Sequence, residues 1–354
     1  MSPRRRKRLD ASVFQLPVDR LRSGEYADRY AGIAAGALRA AKKNPRVLLQ
    51  VTAKQDGVLS GIDEAIAILK QGVEDWSSLA LNALYEGDVI EAWDTVMTIE
   101  GDYATFAHLE TLYLGVLGHR TRVCTNVREI VDAARPKAVL FLGARDEHFL
   151  MQPGDGFAAM IAGAKQVSTD AQGSLWNGKV VGTIPHSLIA AFGGDSTAAA
   201  KHIAKQLPED VHLLALADYE NDVVRTSVEV ARALGERLWG VRLDTSEHLV
   251  DRSVLSQMGT FHPTGVNPQL VWNVRNALDA EGFGDVQIVV SGGFDVEKVR
   301  EFEVEGAPVD AYGIGAAAYR GTFDFTADVV MVGGKAQSRV GRKMEPNPML
   351  ERVK

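Results

Sequence analysis

The segment from Lys179 to Asp195 reads KVVGTIPHSLIAAFGGD: an apolar run, then Gly182-Thr183, a proline, and His186 just ahead of a helix-like stretch. Imidazole titrates closest to neutrality, so at the lip of a strand it serves as a metal ligand, a general base, a phosphate-handling group or a hydrogen-bonded structural residue. No second histidine stands at HxH or HExxH spacing, which argues against a zinc site. No GxSxG elbow and no Walker A loop occur, so hydrolase chemistry of those kinds is not encoded.

His186 is one of a series. Polar or glycine residues follow each apolar run in the second part of the chain: Arg145, Asp170, His186, Asp218, Arg242 with Asp244, Ser291-Gly292-Gly293, and then Gly313 and Gly315. One polar residue past a strand is ordinary, because loops are polar. Seven successive ends that carry arginine, histidine and carboxylates point to a site. In VVSGGFD, Gly292 and Gly293 lie between a strand and a helix that begins near Asp295, where outward N–H groups suit a phosphate and the missing Cβ lets it come close. Asp295 is equally well placed as a helix N-cap. Asp218, Asp244 and Asp295 could hold ribose hydroxyls, or a magnesium ion carried by a substrate's phosphates. Together these groups fit a phosphorylated sugar better than a hydrolysable ester.

The elements that must position them change in character near residue 135. Before it, apolar residues at three- and four-residue spacing predict helices over Gly61–Gly72, Ser77–Glu86 and Tyr103–Leu117, with strands at Val47–Val51 and Thr95–Ile99. After it, short Val/Leu/Ile runs alternate with helical stretches: Ala138–Leu142, Gln166–Ser168, Val180–Ile184, Val211–Ala217, Leu238–Leu243, Val286–Val290 and Val309–Ile314. Such runs indicate a parallel sheet covered on its faces. Seven are present where a regular (β/α)8 barrel needs eight, and the link AQGSLWNG is too brief for a crossover helix. The expected fold class is α/β, an irregular, incomplete, seven-stranded barrel, in preference to a doubly wound open sheet. Past Gly321, two strands around Gly333-Gly334 predict a hairpin that returns to the N-terminal part.

Composition bounds the partners. With 354 residues, 46% hydrophobic and 24% charged, the chain can bury a substantial core. A formal charge of −7 argues against general nucleic-acid binding. Cys124 is the single cysteine, which excludes an internal disulfide and suits a small core residue in a reducing, cytoplasmic setting. The run RRRKR near the start is followed by no apolar stretch and is expected to be a solvated, disordered tail, not a secretory signal. No run approaches the ~20 apolar residues of a membrane span.

Taken in order, these pieces resemble the nicotinate phosphoribosyltransferase family, with its nicotinamide and quinolinate branches, over most of the chain. SGEYADRY holds Asp28 and Tyr30 two apart, and IEGDYATFAHLETLYLGVLGHRTRVCTN holds Glu110 and Thr111. LGAR, GTIPHSL, GVRLDT, VSGGFD and YGIG then follow. The resemblance implies an α/β sandwich from residues 1–130 with 321–354 returning to it, and a barrel over 131–320 carrying the phosphoribosyl site. It implies transfer of phosphoribosyl from phosphoribosyl pyrophosphate to nicotinate in NAD salvage, with Mg2+ on the diphosphate. His186, Asp244 and Arg145 would be catalytic. Tyr30, Asp170, Thr183, Asp218, Arg242 and Asp295 would bind substrates, while Ser291, Gly292, Gly293, Gly313 and Gly315 would hold the 5′-phosphate. Within this set Arg145 would meet the pyridine ring or diphosphate, Arg242 the nicotinate and Asp244 the ribose. Tyr30 would stack in a neighbouring subunit's site, making a homodimer the smallest active unit. His186 matches the histidine that is phosphorylated in relatives coupling ATP hydrolysis to synthesis; whether ATP is used here stays open.

Two departures bear on the base. Leu142-Gly143-Ala144-Arg145 lacks the aromatic shelf of nicotinamide-using relatives, and Asp170 stands where those relatives place an aspartate against the amide. Quinolinate, a dianion, would call for several cations, and Arg145, Arg242 and Lys165 are those available. Nicotinate is the first expectation, nicotinamide or quinolinate the alternative. A sugar-phosphate-binding barrel without catalysis is the alternative of another class.

Overall fold

The computed structural model describes residues 6–180, 183–208, 211–259 and 261–353. The chain divides into two compact units, one from the residues up to Thr125 together with Arg320 onward, the other Asn126–Tyr319. No helix among the described residues is long and apolar enough to cross a membrane.

The first unit is built on the strand Arg46–Ala53. It pairs antiparallel with Thr95–Asp102 on one side and with Phe325–Val332 on the other, in a six-stranded sheet completed by Ala80–Ala83, Lys335–Ala336 and Glu351–Arg352. Alternation sends Leu49, Val51 and Ala53 to one face, where they share a buried cluster with Ile62, Ala65, Ile66 and Leu69 of the helix Ile62–Gly72. Gln50 and Thr52 on the opposite face are also buried. The C-terminal segment covers them: Glu345 N–H donates to Gln50 Oε1 at 2.9 Å, and Thr95 Oγ1 donates to Glu345 O at 2.7 Å. The hairpin expected past Gly321 forms around Gly333 and Gly334, both at positive φ, and its first strand pairs with Arg46–Ala53.

Two expectations fail in this unit. Ser77–Glu86 is not a helix: a 3-10 turn, Trp76–Ser78, leads into the strand Ala80–Ala83, which pairs with Thr95–Asp102. Leu79, Leu81 and Ala83 bury at every second residue, and that period, satisfied by pairing, overrides the helix preference of Ala and Leu. The basic tail is not simply solvated either. Arg4 and Arg5 lie outside the described residues, but Arg8 donates to Asp63 Oδ1 at 3.2 Å and to Ala83 O at 3.0 Å, with its guanidinium 3.9 Å from the Tyr85 ring centroid. Asp63 is buried and also accepts from Leu9 N–H at 2.8 Å; an unpaired carboxylate there would be costly, so the arginine is drawn in. The segment Tyr103–Leu117 is helical as Tyr103–Phe106, a 3-10 turn, and then Glu110–Ala134.

The second unit holds a curled parallel sheet with strands in the order Gln166–Val167, Ala138–Phe141, Ala311–Ile314, Gln287–Val290, Leu238–Leu243, Leu213–Leu216. The last of these strands in chain order pairs with the first, Ala311 opposite Ala138 and Ile314 opposite Phe141. That pairing curls the sheet and brings early and late strand ends side by side. Of the expected strand Val180–Ile184, the described residues show single parallel bridges, Val180 to Val167 and Thr183 to Leu214, while residues 181–182 lie outside the described set. The link after Gln166–Val167 holds one helical turn, Asp170–Gly173, capped by Thr169. It presses on the helix Gln152–Ala162, where a Cβ on Gly156 would lie 2.1 Å from Gln172 O.

Candidate active site

Asp28, Tyr30, Glu110, Thr111 and Cys124 belong to the first unit, and the other candidate residues belong to the second. The strand Leu238–Leu243 is the spine of the site. Arg242 and Asp244 are two apart, so their side chains project to the same side while Leu243 turns into the core, fully buried. The guanidinium of Arg242 makes three bonds: Nη2 to Asp244 Oδ2 at 2.6 Å, Nε to Ser291 Oγ at 2.8 Å, and Nη1 to Thr183 Oγ1 at 3.1 Å. Ser291 Oγ in turn donates to Asp244 Oδ1 at 2.8 Å. Both oxygens of Asp244 are therefore held before any substrate arrives, and residues at two strand ends are tied into one lattice with Thr183, which bridges to Leu214.

The second cluster adjoins it. His186 opens the short helix His186–Ala191, and its Nε2 lies 3.0 Å from Asp218 Oδ2, just past the strand Leu213–Leu216. The imidazole is half exposed and the carboxylate 7% exposed. Burial raises the Asp218 carboxyl above its usual range, the charge of Asp244 adds to this, and the His186 hydrogen bond opposes it. Asp218 Oδ1 is buried with no hydrogen-bond partner among the described residues.

Beyond Ser291 the chain turns through Gly292 and Gly293, at φ +89° and +75°, into the helix Val296–Val304. These angles are why glycine is needed here. Asp295 caps the helix, accepting from Lys298 N–H at 3.0 Å on Oδ1. A Cβ on Gly313 would sit 2.7 Å from Leu142 Cδ1, and one on Gly315 would sit 2.6 Å from Asp146 Oδ2, so both positions admit only glycine without a shift of a neighbour.

Arg145 closes the 3-10 turn Gly143–Arg145 after Ala138–Phe141 and is exposed. Asp170 is exposed at the first position of its one-turn helix. Tyr30 belongs to the first unit; it is 57% exposed, and its hydroxyl donates to Glu110 Oε1 at 3.3 Å. Asp28 N–H donates to Thr111 Oγ1, and that hydroxyl donates back to Asp28 Oδ2. Cys124 is buried.

Two residues were not anticipated. Tyr319 donates to Gly143 O at 3.1 Å and sits 3.2 Å from Asp155 Oδ2, fixing the turn that carries Arg145. Burial and Asp155 push its hydroxyl well above the ordinary range, so it stays a donor. Lys298 Nζ donates to Gly292 O at 3.2 Å. The second had a local signal: side chains in a first helical turn lean back toward the N-terminus, here toward the glycine pair.

Residues 30–121 match the sequence profile of the quinolinate phosphoribosyl transferase N-terminal domain. The chain is similar to nicotinate phosphoribosyltransferase of Bacillus subtilis (strain 168), 25% identical over 66% of this chain and 44% of that protein. It is also similar to nicotinate phosphoribosyltransferase pncB1 of Mycobacterium tuberculosis, 27% identical over 69% and 51%. The matched region thus spans about half the length of these curated relatives. Among solved structures, nicotinate-nucleotide pyrophosphorylase from Pyrococcus furiosus is 31% identical, covering 96% of this chain and 85% of that one, with a TM-score of 0.80. Human nicotinic acid phosphoribosyltransferase shares the fold at a TM-score of 0.66 and 19% identity, covering 90% and 77%.

Proposed function

Because the chain belongs to the nicotinate phosphoribosyltransferase family, we propose that it transfers phosphoribosyl from phosphoribosyl pyrophosphate to nicotinate, releasing pyrophosphate and forming nicotinate mononucleotide. The observation that carries this is the lattice of Asp244, Arg242, Ser291 and Thr183 beside the Gly292-Gly293 turn, at one end of one parallel sheet. We further infer that the sheet closes as an irregular seven-stranded barrel through the bridges at Val180 and Thr183.

Departure of pyrophosphate leaves a cation-like ribose, which a fixed negative charge stabilises without a covalent nucleophile. Asp244 has that charge and is already oriented on both oxygens, so little reorganisation accompanies the reaction. Gly292, Gly293 and Gly313 line the strand ends where the 5′-phosphate would sit, and Arg145 supplies a cation for the diphosphate or the base carboxylate. Arg242, committed to three internal partners, acts first as the strut of Asp244. Tyr30 would complete the site of a neighbouring copy, with a homodimer as the working unit.

Magnesium suits the donors present. The orphaned Asp218 Oδ1 and the neighbouring Asp244 form a carboxylate pair, while no group of three or more His, Cys, Asp or Glu among the described residues could hold an ion. Asp218 and Asp244 would face a cation carried in by the substrate's diphosphate, which neutralises the leaving group. His186, held by Asp218, presents an exposed ring edge suited to accepting a phosphoryl group from ATP.

The test is product formation from phosphoribosyl pyrophosphate and magnesium with nicotinate, nicotinamide or quinolinate in turn, each with and without ATP. Nucleotide from nicotinate is expected. Product only from another base reassigns the substrate, and no pyrophosphate release with any base supports a non-catalytic sugar-phosphate-binding barrel.

A further inference from the structure

We propose that Lys298 is the positioning residue of the phosphate turn: its ammonium, bonded to the Gly292 carbonyl, orients and polarises the Gly292–Gly293 peptide so that the Gly293 N–H is presented to the substrate's phosphate. The inference deepens the transferase reading above and rests on it for the identity of the anion.

A trans peptide is planar, so the carbonyl of Gly292 and the N–H of Gly293 point in opposite directions. Lys298 Nζ holds that carbonyl at 3.2 Å; the Gly293 N–H must then face away from the lysine. Gly293 is exposed, and its N–H has no acceptor among the described residues. Two successive residues at positive φ are conformationally loose when both are glycine, so an unpinned turn would sample other peptide orientations and lose a donor's aim.

A charged donor on the carbonyl does more than a neutral one. It draws electron density toward oxygen and strengthens the N–H at the other end of the same peptide. The lysine is itself held: Nζ lies 4.5 Å from the Phe294 ring centroid, and Phe294 is buried against Phe302 and Tyr312. Partial burial lowers the Lys298 ammonium below its ordinary value, and the charges of Glu301, Asp295 and Glu247 oppose that shift. Lys298 reaches the peptide from behind, leaving the exposed side for the ligand.

The experiment is calorimetric titration of the full chain with inorganic phosphate and with ribose 5-phosphate, for wild type, Lys298→Met and Lys298→Arg, alongside steady-state kinetics and circular dichroism melts. Phosphate affinity is expected to fall at least tenfold in Lys298→Met and to recover most of that loss in Lys298→Arg. The KM for phosphoribosyl pyrophosphate should rise in parallel while kcat changes less than threefold. Unchanged phosphate affinity in Lys298→Met overturns the proposal, as does Lys298→Arg behaving like Lys298→Met. If Lys298→Met does not fold, Lys298→Gln replaces it, and loss of folding in all three variants makes the lysine structural and ends the proposal. Wild type that binds phosphate but forms no nucleotide leaves the role of Lys298 intact and removes the transferase reading; wild type that binds no phosphate removes both.

Discussion

Arg242 Nη2 meets Asp244 Oδ2 at 2.6 Å across a single intervening residue, and Ser291 joins both, accepting from Arg242 Nε and donating to Asp244 Oδ1. The triangle is part-buried, with Arg242 16% and Asp244 17% exposed. A carboxylate so held keeps its direction. Substituting Asp244→Asn retains the shape and most hydrogen bonding but removes the charge. The expected outcome is a fall in kcat of ~10²–10³, the size found when an electrostatic stabiliser is removed, with a melting temperature within a few degrees of wild type. Single-turnover kinetics beside a thermal melt would check it; an unchanged rate removes Asp244 from the mechanism.

His186 and Asp218 make a separable prediction. His186→Asn should abolish any stimulation by ATP and any acid-labile phosphorylated protein, while ATP-independent transfer falls less than tenfold. Measuring ADP release against nucleotide formation distinguishes the two. Equal loss of both activities would place His186 in the transfer step itself.

Glu86 predicts a pH dependence of stability in the first unit. It is buried, with its oxygens accepting from the Gly61 and Asp63 N–H groups, and burial followed by the charge of Asp63 pushes it up to about 7. A carboxyl whose folded value exceeds its unfolded one binds its proton more tightly when folded. Its contribution is full below about 4.5 and is lost as pH rises through about 7. Wild type should therefore lose stability between pH 5 and pH 8 by this route, and Glu86→Gln should flatten that slope in denaturant titrations. A steeper slope in Glu86→Gln would contradict it.

Gly156 should tolerate no side chain. A Cβ there would fall 2.1 Å from Gln172 O, a backbone atom that cannot turn aside. Gly156→Ala is expected to destabilise by ~1–3 kcal/mol or more, as overpacking does, and to displace the turn bearing Asp170. Chemical denaturation and KM values for the base would show both effects. Gly36, with open space around its Cβ position, is the control, and Gly36→Ala should be neutral or slightly stabilising.

How much of this was legible in the chain follows from the range of each interaction. The alternation in Val241-Arg242-Leu243-Asp244 shows two polar side chains on one side of a strand, and Gly292-Gly293 followed by Asp295 shows a turn entering a capped helix. Both signals span a few residues, so backbone geometry suffices to read them. The strand Ala80–Ala83 was hidden because Ala and Leu suit either period until a partner strand decides. Arg8 on Asp63 and Tyr319 on Gly143 were hidden because 55 and 176 residues separate the partners.

The sequence by itself determined the rhythm of strands and helices, the residue types waiting at each strand end, and the family they resemble. Only the tertiary structure decided which of those groups touch, that Arg242 is spent on Asp244, Ser291 and Thr183, and that Lys298 stands behind the glycine turn. The reason is physical: periodicity is written in neighbouring residues, whereas a buried charge takes its partner from whatever segment the packed sheet brings within 3 Å or so.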